Sequence, residues 1–212
     1  MYTPEHFAID DTDVVLAMMQ ANPFAILVSY GAEGLQATHM PTVVKGDGCR
    51  PSRIEAHFAR PNQHWREFKG DGAEAMFIYS GPHSYIHPGW YPTKAATGKV
   101  VPTWNYAAVH VYGRARLMQD QETLRAHVAE LSDQQERSQD QPWALADAPE
   151  DYVGVMLRGI VGLQFEITRY EGKLKMSQNR EDADRRGVVS GLHEEGSESA
   201  RDVAALVDQA IK

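Results

Sequence analysis

A single cysteine, Cys49, in 212 residues excludes an internal disulfide framework and a zinc knuckle built on paired thiolates. A reducing compartment fits that scarcity. Long apolar runs are missing too, and none approaches the ~20 residues of a bilayer-spanning helix. The opening, Met1 to Asp13, carries Asp10, Asp11 and Asp13 where a secretory signal would carry a basic and then an apolar stretch. The expectation is therefore a cytoplasmic protein with no membrane segment. Positive charge is in deficit, with 21 Lys and Arg against 29 Asp and Glu and a net charge of −8. Duplex affinity rests on cations that neutralise phosphates, so this balance opposes general nucleic-acid binding and leaves DNA only a local basic patch. No Walker loop, G-x-S-x-G elbow or H-E-x-x-H helix occurs. The stretch Gly70 to Ala75 matches G-x-G-x-x-A, but it follows a helix and precedes a strand, the wrong order for a dinucleotide turn. His83 and His87 would share a helix face, but Pro82 and Pro88 interrupt any helix there, and no metal is expected.

What is present suits one globular domain. Hydrophobic residues make up 42% and charged residues 24%, and a chain of this length buries roughly 70% of its unfolded surface without staples. Asp11 is placed to cap a helix through Val14, Val15, Met18 and Met19 that ends before Asn22-Pro23. Phe24–Tyr30 and Leu35–Val44 read as two strands joined at Gly31 and Gly34. The loop 45–52, with Cys49, follows. Arg53–Ala59 reads as a third strand, then a short helical piece carries Trp65 and Phe68, then Glu74–Ser80 is a fourth strand. The segment Ser80–Trp104 reads as irregular because of Pro82, Pro88, Pro92 and Pro102. Tyr106–Met118 and Ile160–Tyr170 alternate as long strands. Helices are expected over Gln121–Gln135 and Glu150–Leu157, and from Glu181 onward. Strand follows strand without regular crossover helices, which argues against a doubly wound sheet and for a small antiparallel barrel with helical decoration.

Three stretches concentrate chemistry. In Ser84–Tyr106 (SYIHPGWYPTKAATGKVVPTWNY), aromatic rings, prolines and polar atoms crowd one connection, a composition that suits the wall of a flat, apolar, polar-edged ligand. The same composition would serve packing against its own barrel or a second subunit. In His57–Trp65 (HFARPNQHW), a strand runs into a helix start at Pro61, where free N–H groups, Arg60, Asn62 and Gln63 could receive an anion. A capped helix with a solvated arginine would look the same. In Lys173–Arg180 (KLKMSQNR), donors cluster after the last strand, which is also how a polar exit from a sheet reads.

Together with YTPEHF (Tyr2–Phe7) and ATHMP (Ala37–Pro41), and with VPTWNYAAVHVYG, these segments occur in the order seen in the PaiB-like family, labelled FMN-binding negative transcriptional regulators. The chain resembles that family over nearly its whole length. The resemblance implies a mainly β, α+β fold: a six-stranded antiparallel FMN-binding split barrel, similar to the pyridoxamine-phosphate oxidases. It implies a homodimer with FMN at the subunit interface. Residues 1–180 would form the FMN-binding domain and 181–212 a C-terminal helical extension packed on it. The phosphate would lie near His57, Ala59, Arg60, Asn62, Gln63 and Trp65. The ring would lie against Thr38, His39, Met40 and Pro41, with Ser84, Tyr85, Trp104, Asn105 and Tyr106 as neighbours. Lys175, Gln178 and Arg180 would reach the ligand from the C-terminal motif. One departure stands out: the oxidases place a tight basic cluster after the third strand, whereas here Arg60 is the only cation before Arg66.

The function implied is regulation of transcription through a flavin that senses redox or metabolic state. The alternative is a flavin-dependent oxidoreductase or flavin reductase. No helix-turn-helix is visible, and only Arg185 and Arg186 make a small basic spot on the tail. A binding module that has lost its cofactor is a third reading.

Overall fold

The structure is a computed structural model that describes residues 1–47, 50–118, 120–209 and 211. Cys49, expected in a loop, lies outside the described residues. Eight strands are present: β1 Ala8–Ile9, β2 Phe24–Gly31, β3 Gly34–Pro41, β4 Val43–Asp47, β5 Arg50–Ala59, β6 Ala73–Ile86, β7 Thr103–Leu117 and β8 Ile160–Lys175. They form one sheet in the order β3-β2-β6-β7-β8-β5-β4, with β1 added on β8. The registers of β1 with β8, β2 with β3 and β6, β4 with β5, and β5 with β8 are all antiparallel.

The expected six-stranded barrel is thereby corrected to eight strands on an open path. The cause is local. The run Leu35–Val44 reads as one strand, but Thr42 interrupts it. Its N–H and its hydroxyl both donate to the Pro23 carbonyl, each at 2.9 Å, and its oxygen accepts from the buried Tyr79 hydroxyl at 3.0 Å. With its donors turned to Pro23, Thr42 ends β3, and Val43 starts a separate strand on β5. The short β1 comes from the N-terminal segment, where Ala8 pairs with Lys173.

A second difference concerns Ser80–Trp104, expected to be irregular. Strand β6 runs on to Ile86 through Pro82, helix α2 covers Pro92–Thr97, and β7 already begins at Thr103. Proline removes a ladder donor. A side chain distant in sequence supplies partners nearby: the His83 N–H donates to Ser199 Oγ at 3.0 Å, and the Ser199 hydroxyl donates to the His83 carbonyl at 2.7 Å.

The other helices follow their sequence signals. Helix α1 spans Thr12–Ala21, and Asp11 caps it by accepting from the Asp13 N–H at 2.9 Å. Helices α3 (Gln121–Glu136), α4 (Glu150–Arg158), α5 (Asp182–Glu195) and α6 (Glu198–Gln209) complete the set. Asp120 caps α3 through the Thr123 N–H at 2.7 Å. Among the described residues no helix is long and apolar enough to cross a membrane.

Contacts group the chain into two compact units, one made of 11–79 and 110–170, the other of 1–10, 80–109 and 171–212. In the first, Val15 and Met19 of α1 are buried, as are Leu27, Ile54, Phe58, Phe68, Phe77, Leu163 and Phe165. Phe77 and Phe165 meet edge-on at 5.1 Å. In the second, Ile86, Tyr91, Met176, Val188, Leu192, Val203 and Val207 are buried. Trp90 lies against the backbone of α5 at Gly187 and Gly191, where a Cβ would collide with its carbonyl and its ring. Glycine is needed at these two positions for close approach, not for an unusual φ.

A Gly191→Ala variant is therefore expected to lose about 1–3 kcal/mol of stability through overpacking, read from the midpoint of urea unfolding. An unchanged midpoint would mean that Trp90 moves aside freely.

Candidate functional site

The turn after β5 is built from groups that bond to one another. Arg60 lies at the surface, yet its Nε donates to the Arg158 carbonyl at 2.6 Å and its Nη2 to the Ile160 carbonyl at 2.9 Å. The Arg60 N–H donates to the Gly159 carbonyl at 2.8 Å. Asn62 caps the short 3-10 helix Gln63–Phe68, accepting from the His64 N–H at 3.1 Å, and its amide donates to Thr38 Oγ1 at 3.2 Å. Gln63 donates to the Pro61 carbonyl at 2.8 Å, and Trp65 Nε1 to the Arg60 carbonyl at 3.0 Å. These donors, expected to receive a phosphate, hold the turn and its neighbours. Ala59 is exposed beside them.

Beneath the turn sits a buried polar network centred on His64. His64, 2% exposed, holds Ser29 Oγ at its Nε2 and Thr38 Oγ1 at its Nδ1, both at 2.8 Å. Glu67 accepts from Ser29 and, at 2.6 Å, from Gln36. Burial lowers the His64 pKa, partly offset by the Glu67 carboxylate. A neutral ring satisfied on both nitrogens ties β2, β3 and the 3-10 helix together. Of the β3 candidates, Thr38 joins this network, His39 is exposed and stacks on Phe24 at 6.0 Å, Met40 is buried in the core, and Pro41 is half-buried. His57 does not join it. Its Nδ1 lies 3.1 Å from His127 Nε2.

The remaining candidates lie in the other unit, and there they come together. Period-two alternation places Trp104 and Tyr106 on one face of β7, and Asn105 and Ala107 on the other. Asn105 is fully buried and donates to Ser177 Oγ at 3.0 Å, anchoring the KLKMSQNR motif. Ser177 has φ +62, a left-handed turn for a non-glycine residue. Gln178 locks that turn through the Met176 N–H at 2.6 Å and the Leu174 carbonyl at 2.5 Å. Trp104 is 53% exposed and meets the half-open ring of Tyr85 edge-on at 6.0 Å. Together with His83, Ser84, His87 and Trp90, these rings line a groove of about 530 Å³.

Three cations converge at this end of β8. Lys175 donates to Thr103 Oγ1 and, at 2.7 Å, to the Trp104 carbonyl. Lys173, only 6% exposed, has its ammonium 5.1 Å from the Tyr106 ring. The Arg180 guanidinium lies 5.0 Å from the Tyr91 ring. Among the described residues none of the three makes an ion pair with a carboxylate. Burial, and then the charges of Lys173 and Arg180, push the Lys175 pKa down. Lys173 was visible in the motif but not singled out; it is the neighbour whose charge is felt most at Lys175.

A flavin mononucleotide presents a flat ring with polar edges and an anionic phosphate. Uncompensated cationic donors beside open tryptophan and tyrosine faces fit that pair of requirements. The residues present therefore suit the cofactor.

Comparison with known proteins bears on the cofactor and the fold. The model of the family described as "Putative FMN-binding domain" matches residues 1–169. The chain is 29% identical to the Bacillus subtilis "Protease synthase and sporulation protein PAI 2", over 100% of this chain and 99% of that protein. It is 32% identical to the Emericella nidulans protein AN0679, over 98% of this chain and 96% of that one. Among solved structures, the Mycobacterium smegmatis FAD and heme binding protein superposes with a TM-score of 0.57 at 12% identity, covering 79% of this chain and 73% of that chain. The Azotobacter vinelandii flavocytochrome Anf3 gives 0.56 at 13% identity, covering 79% and 69%. The structural likeness speaks for a shared fold, and the family match adds the cofactor: this chain belongs to the FMN-binding, PaiB-like family, whose cofactor is FMN.

Proposed function

We propose that the protein is an FMN-dependent oxidoreductase of the flavin-reductase kind, acting as a cytoplasmic homodimer. The observation that carries this reading is the open aromatic surface of Trp104 and Tyr85 beside the unpaired cations Lys173, Lys175 and Arg180. Lys175 and Arg180 would hold the phosphate, and Trp104 and Tyr85 would hold the ring. Bound FMN supplies two-electron exchange. The chain's own part is to bind and orient: Asn105 and Ser177 fix the cationic turn, and the Trp104 carbonyl holds the Lys175 ammonium in place. An open ring face would leave room for a small donor or acceptor to approach. The second subunit would close what is open at Trp104 and Tyr85.

Transcriptional regulation is the second reading, favoured by kinship over the whole chain with the Bacillus subtilis protein, whose name ties it to protease synthesis and sporulation. The structure lends it little support. Arg185, half of the expected basic spot, is buried and paired with Asp182, and the net charge of −8 opposes a phosphate backbone.

Purified protein mixed with FMN and desalted is expected to keep a near-equimolar flavin spectrum, which reduced nicotinamide bleaches anaerobically. Retained flavin that no nicotinamide reduces, together with salt-sensitive binding to duplex DNA, would favour regulation. Lys175→Ala and Arg180→Ala are each expected to weaken FMN about tenfold or more, as the loss of a charge-assisted contact should. Arg60→Ala should leave the FMN Kd near that of the parent and lower stability instead, since it removes the tie to the Arg158 and Ile160 carbonyls. Flavin-fluorescence titration decides, and the reverse order would move the phosphate to the turn. Sedimentation of the FMN-bound protein is expected to show a dimer; a monomer at high micromolar concentration would remove the second subunit from the site.

A further inference from the structure

Strand β5 exposes a histidine that the flavin reading does not use. Ile54, Ala56 and Phe58 face the core, so Glu55 and His57 fall on the opposite face, which α3 approaches. There Glu55, His127 and His57 form a line. Glu55 is 5% exposed; its Oε1 takes Arg53 at 3.0 Å, and its Oε2 lies 3.9 Å from His127 Nδ1. His127 is 1% exposed, and its Nε2 lies 3.1 Å from His57 Nδ1. Burial, then His57 and Lys45, depress the His127 pKa to about 3, and burial lowers that of His57. Both rings are neutral at pH 7.

Neutral rings carry one proton each, and the line leaves little choice in where they sit. His127 Nδ1 is buried without a hydrogen bond and faces a carboxylate. A proton there is favoured and a lone pair is not, because two lone-pair faces would repel in a medium of low dielectric. His127 Nε2 is then an acceptor. His57 Nδ1 must donate to it, which leaves His57 Nε2 a bare lone pair with no partner among the described residues. The carboxylate of Glu55 thus fixes, two rings away, the chemistry that His57 shows to the outside.

What His57 faces is apolar. It lines a cavity of about 390 Å³ with Val128, Trp143, Leu145, Tyr152 and Met156 among its walls. That lies within the range for small-molecule sites. Trp143, Tyr152 and Met156 are 43–55% exposed, so the rim is open. The floor is the small core of Leu124, Val153 and Leu157. The lining holds no Lys, Arg, Asp or Glu. An anion would find no counter-charge there, and a cation would find none either.

We propose that this cavity binds a small, uncharged, mainly apolar molecule carrying one hydrogen-bond donor, of the phenol class, with the donor placed on His57 Nε2. Aromatic walls at Trp143 and Tyr152 take the ring, and the His57 acceptor selects the hydroxyl. The site is distinct in its chemistry from the cations and open rings proposed to hold FMN. A charged analogue such as a benzoate should be rejected, because no group in the lining offsets its charge.

The test uses the full-length protein saturated with FMN, titrated with 4-ethylphenol and with ethylbenzene by calorimetry and tryptophan fluorescence. The expected result is that 4-ethylphenol binds about tenfold more tightly than ethylbenzene, the worth of one hydrogen bond. His57→Phe should erase that difference while the hydrocarbon still binds. Met156→Trp, at the open rim, should block both ligands. Because His57→Phe could unfold the protein, nitrogen NMR of the parent provides an independent check. It should show His57 unprotonated at Nε2, with that signal moving on addition of 4-ethylphenol and staying put with ethylbenzene. Equal affinity for the two ligands would overturn the proposal. So would a protonated Nε2, no binding of either ligand (as when a second copy covers the cavity), or binding that FMN abolishes.

Discussion

The alternation of side chains along a strand constrains this protein more than any single bond does. On β5 the core claims Ile54, Ala56 and Phe58, so Glu55 and His57 cannot also face inward. On β7 it claims Asn105, Ala107 and Val109, so Trp104 and Tyr106 must turn the other way. The chemistry of each unit is what the packing of its core leaves over: a histidine line on one strand, an aromatic face on another. A one-residue slip of either strand would bury the functional set and expose the core set together, so fold and site share one requirement.

That alternation explains why much of the architecture was readable in advance. The helix after Asp11, the strands around Ile54 and Val109, and the helix over Leu124 and Leu131 all follow from period and caps. What failed to show were features decided by partners far along the chain. Nothing in Leu35–Val44 marks Thr42 as a break, because the break depends on the Pro23 carbonyl and the Tyr79 hydroxyl. Pro82 seemed to end β6, and Ser199, 116 residues on from His83, supplies partners in its place. Sequence shows which groups can donate; it does not show which are already engaged.

The same distinction governs the candidate site. Arg60, Asn62, Gln63 and Trp65 have the right chemistry for a phosphate, but the turn itself consumes most of it. Gln178 and Asn105 are likewise occupied in holding the KLKMSQNR turn. For Lys175 and Arg180, a polar exit from a sheet is an equally good explanation from sequence. Their significance comes from what is missing around them, namely carboxylates. In a chain with eight more acidic than basic residues, the fold gathers three cations that have no acidic partner among the described residues, and an anion bound there would relieve the repulsion felt at Lys175. An overall negative balance and a local anion site are compatible, because screening confines each interaction to about 10 Å at 0.1 M salt.

Charge also separates the two cavities. Near Trp104, whose carbonyl accepts from Lys175, stand three cations with no carboxylate paired to them among the described residues. The cavity of His57 has no formal charge in its walls, and His57 brings to it a lone pair directed by a buried carboxylate two rings away in line. An ionic ligand gains at the first and loses at the second, where nothing replaces its hydration. A neutral hydroxyl gains at the second, and at the first it offsets none of the positive charge. Selectivity between the two thus needs no shape difference. It follows from where Glu55 on the one hand, and Lys173 and Lys175 on the other, are forced by the alternation of their strands, with Arg180 added from the turn after β8.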